Sequence, residues 1–276
     1  MAAIALALGA SLTWGLADFF GPLKGRALGV LRVLFYVQLG GLAGIALIVT
    51  VRGKGPADAA ALLAIPAAVS GTLGLYAYYR GMAVGAMSIV APIAGISAIV
   101  PVIVGIASGD RPSMWQLTGI ACALVGVFLA SRAPGRGGPK LAAGVGLAFL
   151  AALGFGGYFP PMHAAGNADY WWASLLFRMT SSSVIMAAVA VRRPSLAIEP
   201  VQLPLLALVG IGDMLGNLLF AAASGSGLVS ITSVLASLYP IVTVVLARIV
   251  LAERVARSQE AGIGLTLAGV ALISAG

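Results

Sequence analysis

Residues 110–131, DRPSMWQLTGIACALVGVFLAS, return as residues 253–274, ERVARSQEAGIGLTLAGVALIS. Asp110-Arg111, Gln116, Gly119-Ile120, Leu124, Gly126-Val127, Leu129 and Ser131 answer to Glu253-Arg254, Gln259, Gly262-Ile263, Leu267, Gly269-Val270, Leu272 and Ser274. One offset aligns them all, whereas shared composition alone would scatter coincidences over many offsets, so this is an internal repeat. A looser match joins Leu6-Ala7, Ala10, Leu12 and Trp14-Gly15 to Leu147-Ala148, Ala151, Leu153 and Phe155-Gly156.

Working outward from the repeat, apolar runs cover 2–21, 30–51, 59–80, 86–108, 113–131, 141–162, 171–191, 203–223, 228–250 and 257–275. These make about ten spans, each long enough to cross a bilayer as a helix. The connections are short and carry breakers: Gly21-Pro22, Gly53-Lys54-Gly55-Pro56, Gly109-Asp110-Arg111-Pro112 and Arg193-Pro194. The longest polar linker, 133–140, lies near the midpoint and places the boundary between halves at 135/136. The predicted fold is therefore an all-α integral membrane protein with repeats over 1–135 and 136–276. Each repeat holds an odd number of spans, so the second copy is inverted in the membrane, as in carriers that expose a site between two halves to either side in turn.

Composition narrows the function. Hydrophobic residues make up 61% of the chain and charged residues 9%, against roughly 25% charged in a soluble domain. The net charge of +8 sits almost wholly between apolar runs, where Lys and Arg orient helices and meet lipid headgroups, so nucleic acid is not an expected partner. Cys122 stands alone amid Ala and Leu and forms no intrachain disulfide. The run from Ala2 to Phe20 lacks a basic start and continues past any plausible cleavage point, and it is expected to remain as the first span. With one histidine, His163, and no Gly-rich Lys-Ser/Thr loop, neither a His-based metal centre nor a nucleotide site is expected. The chain is not expected to be an enzyme or to carry a cofactor. Small-xxx-small pairs such as Gly40/Gly44, Gly81/Gly85, Gly105/Gly109 and Gly212/Gly216 read as close helix packing.

The costliest residue carries the most information. Asp213 lies at the centre of the eighth span, where a carboxylate costs about 2.5–3.5 kcal/mol by insertion scales. Asn217, one turn on, and Ser224 continue a polar face. Asp213 is either a proton- or cation-binding carboxylate coupled to solute movement or one side of an interhelical bond. Arg178, inside the seventh span beside Ser174, Ser181 and Ser182, is its natural partner unless it snorkels past Trp171 and Trp172. The first span offers Ser11, Trp14, Gly15 and Asp18 on one face; the third offers Thr72, Tyr76, Tyr79 and Arg80, either an interfacial belt or one end of a solute path. Ser230, Ser233, Ser237 and Pro240 form a stripe on the ninth span, and Pro92 and Pro101 interrupt its counterpart, the fourth. Proline-interrupted spans at matching places in two halves point to a binding site.

These residues resemble the drug/metabolite transporter superfamily, specifically its EamA-type permeases, over essentially the whole chain. The resemblance rests on Ala10-Ser11-Leu12-Thr13-Trp14-Gly15, on Leu238-Tyr239-Pro240 followed by Leu251-Ala252-Glu253-Arg254, and on Gln259, Gly262, Gly269 and Val270. The first half departs from it, with Gly109-Asp110-Arg111 for the more usual Gly-Glu-Arg and Gln38 where the second half has Arg178. It implies a secondary carrier in a bacterial-type inner membrane, often an exporter of amino acids, other metabolites or drugs. Its cavity would be formed mainly by the first four helices of each half. The expected partners are a small solute, membrane lipid and, as coupling ion, the proton; the mix of rings and hydroxyls suits an uncharged, zwitterionic or amphipathic solute. The alternatives are a membrane-embedded enzyme, which needs several mutually reachable titratable groups, and a non-transporting subunit, which would co-purify with its partner.

Orientation is read two ways. Lys24, Arg26, Arg32, Arg80, Arg132, Arg136, Lys140, Arg192, Arg193, Arg248, Arg254 and Arg257 fall in odd-numbered connections, and only Arg52, Lys54 and Arg111 in even ones. The positive-inside rule then puts both termini outside, while the resemblance implies cytoplasmic termini. A reporter fused to the C-terminus reads external in the first case and cytoplasmic in the second.

Overall fold

The computed structural model describes residues 1–84, 90, 94–130, 139–225, 227–250 and 257–275. Pro92, the 135/136 boundary, Gly85, and Glu253 and Arg254 of the repeat lie outside the described residues. Helix α1 spans Ala2–Leu28, α2 Val30–Arg52 and α3 Ala64–Val84, the last entered through a 3-10 turn at Ala59–Leu63. Helix α4 is described as a 3-10 turn, Ile96–Ala98, leading into Ile99–Ala107, and α5 as Met114–Ala130. The helical stretch Pro139–Arg192 is two helices joined at Asp169, whose backbone (φ −159, ψ 96) is extended; α6 precedes it and α7 follows. Helix α8 is Leu203–Ser224, α9 comes in two pieces, Val229–Ala236 and Tyr239–Val250, and α10 is Arg257–Ala275.

Local chemistry explains the ends. Asp169 caps α7: one carboxylate oxygen accepts from the amides of Trp171 and Trp172, both at 3.1 Å, and the other accepts from Ala57 N at 3.0 Å. Helix α5 opens on a reciprocal capping box in which Ser113 N donates to Gln116 Oε1 and Gln116 N to Ser113 Oγ. That box gives the first copy of the repeated glutamine its role. Gly109, at φ +108, turns the chain after α4, a conformation that costs a side-chain-bearing residue.

The predicted break at Gly21-Pro22 is not where α1 ends. The helix continues through Pro22 to Leu28, and the chain turns at Gly29, φ +93. A proline inside a helix removes the donor for the carbonyl four residues earlier, here that of Asp18. The helix persists because the surrounding contacts outweigh that loss: Gly21 and Gly25 lie against the Tyr79 ring of α3.

The Ala2–Leu28, Val30–Arg52, Ala59–Val84, Gly146–Arg192 and Pro200–Ser224 segments are long and apolar enough to cross a membrane. The 47 residues of Gly146–Arg192 suffice for two crossings at about 20 residues each, with Asp169 between them. Shorter apolar helices supply the remainder. The distribution of side chains is that of a protein solvated by lipid. Leu12, Leu47, Leu73, Ile103, Phe149, Leu153 and Leu208 are exposed, while Ser11, Gln38, Thr72, Ser181 and Arg178 are buried.

The most extensive helix contacts join one half to the other: α1 with α8 and α9, α2 with α7 and α8, α3 with α6 and α7, and α5 with α10. The pseudo-two-fold relation shows in matched contacts. Gly15 of α1 lies against Val242 and the Tyr239 carbonyl of α9; Gly156, its repeat partner on α6, lies against Val100 and the Ser97 carbonyl of α4. Small residues allow these approaches where lipid supplies no hydrophobic drive for association. A Cβ on Gly154 would fall 2.5 Å from the Gly74 Cα across the α3–α6 contact, whereas one on Gly264 meets nothing within 4 Å. Gly154→Val is therefore expected to lower stability by about 1–3 kcal/mol or more, as over-packing does. Gly264→Ala should leave the thermal midpoint in detergent unchanged or slightly higher.

Candidate functional site

At the interface of the halves lies a partly open cavity. Seven helices reach it. Trp14 and Asp18 come from α1, Gln38 from α2, Gly71, Thr72 and Leu75 from α3, and Phe155, Tyr158 and Phe159 from α6. Phe177 comes from α7, Asp213 and Asn217 from α8, and Tyr239 from α9.

One wall rests on a buried ion pair. Arg178 is 0% exposed; its Nη2 donates to Asp213 Oδ2 at 2.7 Å and its Nη1 to Gln38 Oε1 at 2.7 Å. Ser181 Oγ donates to the same Gln38 oxygen at 3.0 Å, and Asn217 Nδ2 donates to the Asp213 carbonyl at 2.8 Å. The snorkelling alternative for Arg178 is thereby excluded: its guanidinium lies on the backbone of α2, 3.0 Å from where a Gly41 Cβ would be. The tryptophans it would have passed are engaged elsewhere. Trp171 lies under Arg52, and Trp172 Nε1 donates to the Lys54 carbonyl at 2.9 Å.

Asp18 differs in kind. It is 7% exposed, yet among the described residues no hydrogen bond or ion pair reaches its carboxylate. Beside it the aromatic wall is continuous. The Trp14 ring meets Tyr158, Phe159 and Phe220 at centroid distances of 5.8, 6.1 and 6.2 Å, and Tyr158 meets Phe177 edge-on at 5.3 Å. The hydroxyls of Thr72 and Tyr158 are buried without a hydrogen-bond partner, an arrangement that leaves capacity for a bound molecule.

Of the residues singled out from sequence, Trp14, Asp18, Thr72, Asp213 and Asn217 line the cavity and Arg178 stands directly behind Asp213. Tyr76, Tyr79 and Arg80 do not line it. Helix α3 turns its Gly71–Thr72–Leu75 face inward, which puts Arg80 about 140° round the helix from Leu75, and Arg80 is exposed. Tyr79 is buried against α1 at Gly21 and Gly25, and Tyr76 packs beside the apolar core between α1, α2 and α3. Ser237 is also buried, but its hydroxyl is spent locally on the Val234 carbonyl at 2.9 Å. Pro240 is the second residue of the second piece of α9, where the start of a helix suits a proline, and follows directly on the cavity-lining Tyr239. Phe155, Tyr158, Phe159, Phe177, Gln38 and Tyr239 were not singled out as lining residues. Phe155 carried a signal, since it is the repeat partner of Trp14.

A sequence model described as the EamA-like transporter family matches residues 1–132 and again 142–275. The chain belongs to the EamA-like transporter family. Its two matches correspond to the two sets of helices that enclose the cavity, and the chain is a multi-pass membrane transporter of the drug/metabolite transporter superfamily. Among curated proteins no sequence match is found. A solved crystal structure superposes on it with a TM-score of 0.80 over 98% of this chain and 94% of that one, at 15% identity, a likeness of fold alone.

Removing Arg178 leaves Asp213 facing apolar surroundings uncompensated. Arg178→Met is expected to cost about 3 kcal/mol or more, and the Arg178→Met, Asp213→Asn double variant should recover part of that loss. A double-mutant cycle by thermal unfolding in detergent measures the coupling.

Proposed function

We propose that this EamA-like chain is a secondary active exporter of a small amphipathic solute (a metabolite, amino acid or drug-like molecule) across a bacterial-type inner membrane. It works by alternating access between repeats 1–135 and 136–276, with the proton as coupling ion. The observation that carries the reading is a cavity walled by both halves that holds a buried carboxylate without a partner. A carrier needs such a site, reachable from each side in turn, and a group whose charge can change during the cycle. Family resemblance favours export.

The coupling group in this reading is Asp18. Asp213 has its charge met by Arg178 at 2.7 Å, whereas among the described residues nothing balances Asp18. The titratable and charged groups around Asp18 are Asp213 from α8, Tyr78 and Tyr79 from α3 and Tyr239 from α9, with Arg178 of α7 behind Asp213. The tyrosines are neutral phenols at ordinary pH, so the change of charge in the cavity falls to the carboxylates. Protonation removes the cost of carrying a bare carboxylate through the cycle, and release of the proton on the other side restores it.

Asp18→Asn is expected to insert and fold, and to lose the pH dependence of solute flux in proteoliposomes while keeping exchange of solute across the bilayer. Wild-type pH dependence in that variant would refute the role of Asp18. A broad solute panel that shows no movement above protein-free liposomes would count against transport itself.

A further inference from the structure

We infer that the cavity selects organic monocations, taking an ammonium group at Asp18 with a flat aromatic body boxed by the surrounding rings. The inference rests on the transporter reading for its setting, and on the charge and surface of the cavity for its content. Among the described residues two carboxylates line the cavity, Asp18 and Asp213, and no Lys, Arg or His does. Arg178 balances Asp213 alone, since its second terminal nitrogen is taken by Gln38. One negative charge is therefore left in a largely apolar chamber, and a solute that brings one positive charge removes the cost of that imbalance.

The rest of the lining suits such a solute. Trp14, Phe155, Tyr158, Phe159, Phe177 and Tyr239 surround the space; aromatic faces attract cations and stack on flat apolar groups. The unpartnered hydroxyls of Thr72 and Tyr158 accept hydrogen bonds from ammonium N–H groups. A solute that also carries a carboxylate meets two carboxylates and no free cation. It follows from the same proposal that protons and solute exclude each other: each neutralises Asp18, and only one can do so at a time.

The test compares three probes that share a phenylethyl frame: 2-phenylethylamine, its neutral counterpart 2-phenylethanol, and phenylalanine, which adds a carboxylate to the amine. Binding is read by thermal stabilisation and isothermal titration on the purified full chain in detergent. The amine should bind at least about ten-fold more tightly than the alcohol or the amino acid, a preference of one well-placed charge. Its binding should weaken as pH falls and a proton occupies Asp18. Asp18→Asn should erase the preference, and Asp18→Glu should keep it, which guards against a variant that merely misfolds. Equal or tighter binding of the alcohol or of phenylalanine, absence of binding by the amine, or an amine preference that survives in folded Asp18→Asn overturns the inference. Proton-driven flux of a neutral or zwitterionic solute without amine binding would sink this inference and leave the transporter reading standing. Amine binding without flux of any solute would do the reverse.

Discussion

An arginine shut away from both water and lipid must find its hydrogen bonds inside the protein, and Arg178 finds them on two other helices. Its guanidinium reaches Gln38 on α2 and Asp213 on α8, so three helices from both halves are fixed around one group. The approach is possible because Gly41 leaves room over the α2 backbone and Gly210 brings α8 against it. A side chain at either position would hold the helices apart and strand the charge. The same cluster breaks the symmetry of the repeat where the halves meet. The first-half counterpart of Arg178 is Gln38, and aligning Leu73-Gly74 with Leu215-Gly216 sets Gly71 opposite Asp213. Doubling the arginine would put two guanidiniums face to face over one carboxylate, a repulsion that low dielectric would magnify.

That asymmetry spreads through the cavity. Trp14 and Asp18 on α1 have Phe155 and Phe159 as partners on α6, and all four line the space. The paired helices α1 and α8 thus present both carboxylates, while α6, α7 and α3 present rings and a hydroxyl. An amphipathic chamber results from a nearly symmetric frame, with charge on one wall and aromatic surface on the other.

The fold was legible because its signals are local or periodic: apolar runs of bilayer length, breakers between them, and a repeat in a single register. The Asp213–Arg178 pairing was legible from cost alone, since each charge lay deep in a span and required a partner. The aromatic wall was not. Phe155, Tyr158 and Phe159 look like any apolar stretch of a span, and only the packing of α6 between α3 and α4 turns them inward. The isolation of Asp18 was hidden for a related reason. The Gly21-Pro22 breaker in the sequence ends its apolar run and puts the carboxylate near water; α1 instead continues to Leu28 and buries it. The choice for Arg80 between belt and solute path stayed open in the sequence, because four polar residues at helical spacing mark a stripe without saying how far round it drifts.

The energetics of the two membrane faces bear on how such a frame moves. Connections of even number share one face, where Asp110 Oδ2 accepts from Ser230 N and Oγ at 2.9 and 2.7 Å and caps α9 from the other half. The same face carries Asp169 to Ala57 N and Trp172 to the Lys54 carbonyl. The opposite face is held by Lys24 to Gln202 at 2.8 Å, Arg32 to the Ser195 carbonyl at 2.6 Å and Tyr36 to the Leu196 carbonyl at 2.8 Å. All of these join first-half residues to second-half ones, so opening either face breaks a set of them. Each is worth about 0.5–3 kcal/mol, the charged ones more than the neutral, and the two sets are similar in kind and number. Among the described residues, these contacts lock neither face by more than a few kcal/mol relative to the other. The matched contacts at Gly15 and Gly156 lie between the faces, where both halves keep a close approach about which they can rock. A difference this small lies within what differential binding of a solute or a proton supplies, so in the proposed cycle occupancy of the cavity would decide which face opens.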